Sequence, residues 1–354
     1  MNADILFLVI SFIWGLAIAA ALHILADRSV FWRDNFLSST AAVCLASILS
    51  VTLPAYYCYN ESDFVGDTDF ISFIAPLFCS LIILAATYFN RIWITAVGVL
   101  AACSIGVILA NVTIIFNPQW ANWANTLATI GVYSIFSLGF YCIAGLTPLP
   151  QSQGVFSTAG LVIIAAFGYM PLSMGVSAAA ILGVFLIAYI RGKIQPVNHN
   201  GAPLLGYIIG WLGLMSYNEY LLPCFVVFMM YYMVEAAVAL LRKITTIAKY
   251  SDLPYNSVIY QAFESGAPVI AINRAIWYVG ILLVILGVFQ INSPNVYSFP
   301  VFACFVCLWQ QYRLCNWNIP NKSLKENYTD TVNSIKETLS PLVGRGKKNK
   351  SDGE

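Results

Sequence analysis

The sequence predicts an all-α, polytopic membrane protein, a helix bundle with about eleven membrane-spanning helices. Of its 354 residues, 60% belong to the hydrophobic set and only 9% are charged, whereas about a quarter of a soluble domain is charged. So few charges cannot cover a soluble surface, and the mean hydropathy of +0.77 is typical of helices in a bilayer. The net charge of +1 gives no basic field, so we expect no nucleic-acid partner.

A helix needs about 20 mostly apolar residues to cross the hydrocarbon core. Cutting the chain at charges, Pro, Gly and Asn leaves eleven candidate spans, which are Ile5–Leu25, Phe36–Tyr57, Phe70–Phe89, Ile92–Ile115, Ala124–Leu146, Val155–Tyr169, Met174–Ile190, Pro203–Tyr217, Leu222–Leu241, Ala275–Ile291 and Val296–Trp309. The uncharged stretch Gly154–Ile190 is too long for one helix at about 1.5 Å per residue. We therefore predict a turn at Tyr169–Ser173, around its proline.

The charges predict which ends of these spans face the cytoplasm. With the N-terminus outside, eleven crossings place all 17 Lys and Arg on one side, as the positive-inside rule requires. The other side carries only acids, namely Asp4, Glu61, Asp63, Asp67, Asp69 and Glu219. Pro203–Tyr217 is short enough to be a re-entrant helix, but Arg242 and Lys243 would then lie outside, so we predict that it crosses.

The chain is thus predicted to hold a transmembrane bundle over residues 1–310 and a polar tail over 311–354. The tail is expected to be cytoplasmic and partly disordered, because it contains few apolar residues. The lysines at 347, 348 and 350 suit an anionic leaflet. The predicted location is the inner, or plasma, membrane, with membrane lipids as the immediate partners.

Two polar residues are candidates for chemistry, each with two interpretations. His199 lies in a polar loop between Asn198 and Asn200, where it is either a turn residue or a contact to a ligand or phosphate. Glu235 lies inside the ninth predicted span, where a carboxylate is costly and marks a functional site by default. It can equally snorkel to the surface or pair with another helix.

The acidic residues of the inner loops are too few for metal chemistry. No Asp or Glu occurs between Phe70 and Asn218, and the inner loop at residues 244–273 carries only Asp252 and Glu264. Magnesium chemistry on phosphates needs one or two carboxylates. Cys304 and Cys307 have the spacing of a metal pair but no second pair or histidine nearby. The sequence therefore predicts no metal site and no cofactor.

One inner loop carries part of a known motif. After the fifth span, Leu146 and Thr147 match N-L-[TI]-D-G-L-D-G, while Pro148 and Gln151 stand where the motif has its two Asp. By the order of its loops the chain resembles the polyprenyl-phosphate N-acetylhexosamine-1-phosphate transferases, which include the phospho-N-acetylmuramoyl-pentapeptide translocase and the undecaprenyl-phosphate GlcNAc-1-phosphate transferases. The resemblance implies ten or eleven spans, with sugar-phosphate transfer from a UDP-sugar to a lipid phosphate on the cytoplasmic face, using Mg²⁺.

The other family motifs are kept in outline and lack their catalytic residues. In the loop Asn198–Gly206, Gly201 matches G-D-T-G-S-L-x-L-G while His199 replaces the metal-binding Asp. The segment Ala85–Arg91 lacks the family's Asp-Asp pair.

On the ninth span, Glu235 followed by Arg242 and Lys243 is similar to the family's acidic residue and basic pair. The His-rich loop that comes next appears here as Pro254–Gly266, without histidine. The scaffold is therefore expected to remain while the metal and base positions are empty.

The resemblance implies a catalytically degenerate member, a pseudoenzyme that binds polyprenyl phosphate or docks on an active envelope-glycan enzyme of the peptidoglycan or O-antigen type, or on a second copy. A lipid phosphate needs only cations and polar donors. The residues predicted to bind it are Arg28, Arg33, Arg91, Arg191, Lys193, Asn198, His199, Asn200, Arg242 and Lys243.

Two alternatives stay open. The first is an active transferase with relocated chemistry, using Mg²⁺ and the candidate catalytic residues Glu235, Asp252, Glu264 and His199. The second is a transporter or flippase, which is expected to show a midplane ion site and helices broken in matched halves.

Overall fold

The structure is a computed structural model of the chain, and it describes residues 3–28, 37–60, 70–116, 118–144, 148–192, 199–216, 221–244, 256–292 and 298–315. Within those ranges all regular secondary structure is helical. The helices are α1 (Ala3–Arg28), α2 (Leu37–Asn60), α3 (Phe70–Phe78), α4 (Ser80–Thr87), α5 (Ile92–Ala110), α6 (Asn122–Gly139), α7 (Leu149–Ala166), α8 (Leu172–Gly192), α9 (Ala202–Met215), α10 (Leu221–Ile244), α11 (Val258–Glu264), α12 (Val269–Gln290) and α13 (Ser298–Cys315). Two 3₁₀ turns, Phe140–Ile143 and His199–Gly201, precede α7 and α9.

The predicted all-α membrane class is confirmed by the length and composition of these helices. In the described part of the chain, seven helical stretches are long and apolar enough to cross a membrane, namely Asp4–Ala26, Phe70–Thr87, Ile92–Ala110, Asn122–Ile143, Leu172–Gly192, Leu221–Ile244 and Val269–Gln290. Helices α2, α7, α9 and α13 occupy the other four predicted span positions. The count of eleven crossings and the orientation of the termini stay predictions.

The predicted turn after the sixth span is confirmed, but the start of that span is not. The chain turns between Ala166 and Leu172, with Gly168 at a φ of +77°, a conformation that glycine adopts without strain. Helix α7 begins at Leu149 rather than at Val155. Its first turns are polar, yet they are buried inside the bundle, so a polar segment that suggested a loop is helix.

Helix α9 lies at the centre of the bundle and is buried on every side except at Met215. Its large side chains are anchored by hydrogen bonds that buried tyrosine and tryptophan require. The Tyr207 hydroxyl donates to the Pro76 carbonyl at 2.7 Å, and the Trp211 indole donates to the Phe73 carbonyl at 3.2 Å. Fourteen residues reach only about 21 Å, so α9 falls short of a typical crossing and its role as a span stays a prediction.

The helix directions follow from close contacts. Leu8 of α1 lies against Gly175 of α8, and the Phe12 carbonyl lies against Gly183 further along, so these two helices are parallel. A hydrogen bond joins Asn200, before α9, to Asn90, before α5, so those two helices begin side by side. Similar contacts orient the remaining helices.

All lysines and arginines of the described residues therefore lie towards one end of the bundle, which we call the basic end. They are Arg28, Arg91, Arg191, Arg242, Lys243, Arg274 and Arg313. Helices α5, α7, α9 and α12 begin at this end, and α1, α8, α10 and α13 finish there. The cations, rather than the helix ends, give this end a positive potential, because the helices that begin here and those that finish here contribute partial charges of opposite sign.

Candidate functional site

Three chain segments that are far apart in sequence meet at the basic end. The Asn200 side-chain amide donates a hydrogen bond to the Asn90 side-chain oxygen at 2.7 Å. The rings of His199 and Tyr141 are 5.8 Å apart between centroids. We call Asn90, Tyr141, His199 and Asn200 the loop cluster. It brings together the ends of α4 and of the 3₁₀ turn at Phe140–Ile143 with the start of α9.

The start of α7 carries a buried side chain with unused hydrogen-bonding capacity. Gln151 is 0% exposed, and among the described residues neither its amide oxygen nor its amide nitrogen has a hydrogen-bond partner. The amide nitrogen lies beside the end of α8, because a methyl group added to Gly192 would stand 2.9 Å from it. A buried polar group without a partner costs about 1–3 kcal/mol, so a ligand or water that satisfies it is favoured. We call Gln151, Gly192 and the first turn of α7 the glutamine site.

The glutamine site and the loop cluster are neighbours, because both contact the 3₁₀ turn at Phe140–Ile143. The turn at Phe140–Ile143 packs against α7 and also against the turn at His199–Gly201. In the first turn of α7 only Leu149 and Gln151 have backbone N–H groups without a partner in the helix, because Pro150 has no N–H. Helix N-termini bind anions through such groups. The Gln151 side-chain amide and the backbone N–H groups at the start of α7 can together donate hydrogen bonds to an anion.

A second polar cluster lies around the predicted membrane carboxylate. Glu235 is also 0% exposed. One carboxylate oxygen accepts from the Ile259 backbone N–H at 3.2 Å, and the other accepts from the Gln311 side-chain amide at 2.9 Å. Glu235 therefore joins α10 to the first turn of α11 and to α13, which is the helix-pairing interpretation of this residue. We call Glu235, Ile259 and Gln311 the glutamate brace.

Arg242, two turns beyond Glu235, belongs to the same group of helices. Its guanidinium donates to the Asn256 carbonyl at 3.3 Å and to the Cys315 sulfur at 3.1 Å. These contacts tie the end of α10 to the turn before α11 and to the end of α13. Arg242 thus helps to hold the basic end together on the side where the glutamate brace lies.

The remaining predicted site residues divide by position. Arg91 is exposed at the start of α5, whereas Arg191 and Lys243 are half-buried at the ends of α8 and α10. Glu264 is half-buried at the last residue of α11, at the opposite end of that helix from Ile259. Arg28 ends α1, and its side chain is not described. Four predicted residues fall outside the described ranges, namely Arg33, Lys193, Asn198 and Asp252.

The sequence analysis noted Gln151 only because it replaces an Asp of the family motif, and it predicted no role for this residue. The available signal was the polar run Gln151–Gln153 inside an otherwise apolar segment. Within the part of the chain that the structure describes, no three His, Cys, Asp or Glu side chains come close enough to hold a metal ion. Neither a scan against protein-family models nor a search of curated proteins found a match to this chain.

Proposed function

We propose that this chain is a polytopic membrane protein that binds the phosphate of a polyprenyl-type lipid at its basic end without transferring a sugar phosphate to it. In this proposal the chain crosses the plasma membrane eleven times, and the basic end faces the cytoplasm. The observation that carries the proposal is the buried, unpartnered amide of Gln151 at the start of α7.

The glutamine site has the donors that a phosphate requires. The Gln151 amide nitrogen can donate to a phosphate oxygen, and the backbone N–H groups of Leu149 and Gln151 lie in the same first turn of α7. Arg191 precedes Gly192 at the end of α8, so a cation lies next to the residue that contacts Gln151. No carboxylate occurs between Phe70 and Asn218, so none of α3 to α9 repels an anion at this position.

The state of Glu235 supports binding rather than transfer. A general base needs a carboxylate oxygen within reach of the proton that it removes. Both oxygens of Glu235 already accept hydrogen bonds inside the protein, and the residue is fully buried. An enzyme built on Glu235 would have to break the glutamate brace, which favours a structural role for this side chain.

The test is a binding measurement with a matched pair of lipids. Purified protein in detergent is titrated with a polyprenyl phosphate and with the corresponding polyprenol, which lacks the phosphate. We expect the phosphate to bind at least about tenfold more tightly, because one charge-assisted hydrogen bond contributes about 1.5–3 kcal/mol. The Gln151→Leu variant is expected to lose that preference, while wild-type stability is retained.

A second assay separates binding from catalysis. Wild-type protein is incubated with UDP-GlcNAc, Mg²⁺ and the polyprenyl phosphate, and the lipid products are separated. We expect no lipid-linked sugar. Metal-dependent turnover, or equal affinity for the phosphate and the alcohol, would contradict the proposal. A glycan-synthesis enzyme or a second copy as the protein partner stays a prediction.

A further inference from the structure

A groove of about 1090 Å³ lies between α12 and α13, on the side of the basic end formed by the last helices of the chain. Its polar or aromatic lining consists of Arg274, Tyr278, Trp309, Gln310, Tyr312 and Arg313. The groove also runs past Leu282 and Val306, deeper in the bundle. It shares no residue with the loop cluster or the glutamine site.

Each wall of the groove changes from charged to aromatic to aliphatic with depth. On α12 the order is Arg274, Tyr278 and Leu282, which are four residues apart and so lie on one helix face. On α13, which runs in the opposite direction, Arg313 and Trp309 are likewise four residues apart. The two arginines therefore stand at the mouth, near the basic end, and the deeper part is apolar.

The side chains at the mouth are accessible and partly fixed in place. Arg274 and Arg313 are both exposed, and Tyr278 is 73% exposed, so the groove opens sideways from the bundle. The Arg313 guanidinium lies over the Trp309 ring, 5.1 Å from its centroid. This cation–π contact holds a cation at the rim, and arginine is the side chain best suited to phosphate.

The length of the groove matches one leaflet. From Arg274 at the mouth to Leu282 the wall formed by α12 rises about 12 Å at about 1.5 Å per residue. Half of the hydrocarbon core is about 15 Å thick. A molecule with an anionic head and an apolar chain can therefore place its head between the arginines and its chain along the aliphatic floor.

From this geometry we infer that the groove between α12 and α13 is a binding site for an anionic membrane phospholipid, with Arg274 and Arg313 holding the phosphate. The occupant is a lipid rather than a free phosphate, because most of the lining is apolar and has no use for a soluble anion. This site is additional to the proposed polyprenyl-phosphate site and does not depend on it.

Native mass spectrometry of the purified full chain tests this inference. The protein is titrated with phosphatidylglycerol and with phosphatidylcholine that has identical acyl chains. Wild type is expected to retain phosphatidylglycerol at least tenfold better. Because each arginine near a lipid phosphate contributes about one tenfold factor or less, the double variant Arg274→Gln/Arg313→Gln is expected to lose roughly tenfold to thirtyfold of that affinity, while Arg274→Lys/Arg313→Lys keeps most of it.

Two further arms test whether the groove must be open and whether the acyl chains contribute to binding. Ala271→Trp, on the lining, is expected to reduce retention of both lipids, whereas Ala85→Trp, at an exposed alanine of α4, leaves both unchanged. Glycerol phosphate, which has the head group without the chains, is expected not to displace the lipid. Thermal melts identify any variant that fails to fold. If Ala271→Trp does not fold, the substitutions at Arg274 and Arg313, which are exposed, still test the inference.

Three results would overturn the inference: equal retention of the two lipids by wild type, undiminished phosphatidylglycerol binding by the Arg274→Gln/Arg313→Gln variant, or displacement by glycerol phosphate.

Discussion

Gln151 and Glu235 are both 0% exposed and both lie towards the basic end, yet their polar atoms are in opposite states. Each carboxylate oxygen of Glu235 accepts a hydrogen bond from another helix. Within the ranges that the structure describes, neither polar atom of the Gln151 side chain has a hydrogen-bond partner. The charged residue, which is the costlier one to bury, is the one whose hydrogen bonds are complete.

This difference separates a structural role from a binding role. A polar group that is buried and fully paired fixes the helices around it. One that is buried and unpaired lowers stability until a partner arrives, and its hydrogen-bonding capacity is available to a ligand. The comparison therefore gives Glu235 a role in the stability of the basic end, and it agrees with our proposal that Gln151 contacts the ligand.

The largest effect is expected for Glu235→Leu. Removal of the carboxylate leaves the Ile259 N–H and the Gln311 amide buried without acceptors, at about 1–3 kcal/mol each. We expect the free energy of unfolding in detergent to fall by about 2–4 kcal/mol. The control is Glu235→Gln, which has the same shape and can still accept one hydrogen bond, and it is expected to lose less than half as much. A Glu235→Leu variant as stable as wild type would show that the glutamate brace does not stabilise the protein.

The next prediction is that substitutions at two neighbouring glutamines of α7 have different effects on the free energy of unfolding. Gln153 is 2% exposed, and its amide donates to the Phe228 carbonyl at 2.7 Å. We expect Gln153→Leu to lower the free energy of unfolding by about 1–3 kcal/mol, and Gln151→Leu to leave it unchanged or to raise it by about 1 kcal/mol. Unfolding of both variants under identical conditions checks this. Equal destabilisation would show that Gln151 has a structural partner.

A smaller effect is expected within the loop cluster. The hydrogen bond from Asn200 to Asn90 joins the starts of α9 and α5. A double-mutant cycle with Asn90→Ala and Asn200→Ala is expected to give a coupling energy of about 0.5–1.5 kcal/mol. Coupling near zero would mean that these two segments do not depend on each other, and the loop cluster would then not exist as a unit.

The smallest effect on stability is expected for Gly192→Ala. The added methyl group would stand 2.9 Å from the Gln151 amide nitrogen, and a flexible side-chain end can move away at little cost. We expect the free energy of unfolding to change by less than about 0.5 kcal/mol. The affinity for polyprenyl phosphate is expected to fall, because the Gln151 amide is displaced. Ala179→Gly, at a buried alanine in the middle of the same helix, is the control for helix effects: it is expected to lose stability and to keep its affinity.

Composition and charge were enough to predict the fold class. The low fraction of charged residues requires helices in a membrane, and a helix lies at each of the eleven predicted positions. The start of α7 could not be predicted, because Gln151, Ser152 and Gln153 resemble a loop until it is known that Gln153 pairs with α10. Burial of a polar turn depends on neighbours in three dimensions, which periodicity does not report.

The candidate site could be predicted only in part, for the same reason. The sequence identified the loops near Asn90 and His199, and the structure joins them. It also identified Glu235, but it could not decide between function and helix pairing, because that decision depends on Ile259 and Gln311. Arg274 and Arg313 were counted only for topology, since nothing in the sequence places α12 against α13.

The most direct test of the central claim is an experimental structure of the protein with a bound polyprenyl phosphate. The distance to measure runs from the Gln151 amide nitrogen to the nearest phosphate oxygen. We predict a hydrogen bond of about 2.7–3.2 Å, with the phosphate at the first turn of α7. A phosphate bound elsewhere while Gln151 stays unpartnered, or a divalent ion held by protein oxygens at the basic end, would contradict it.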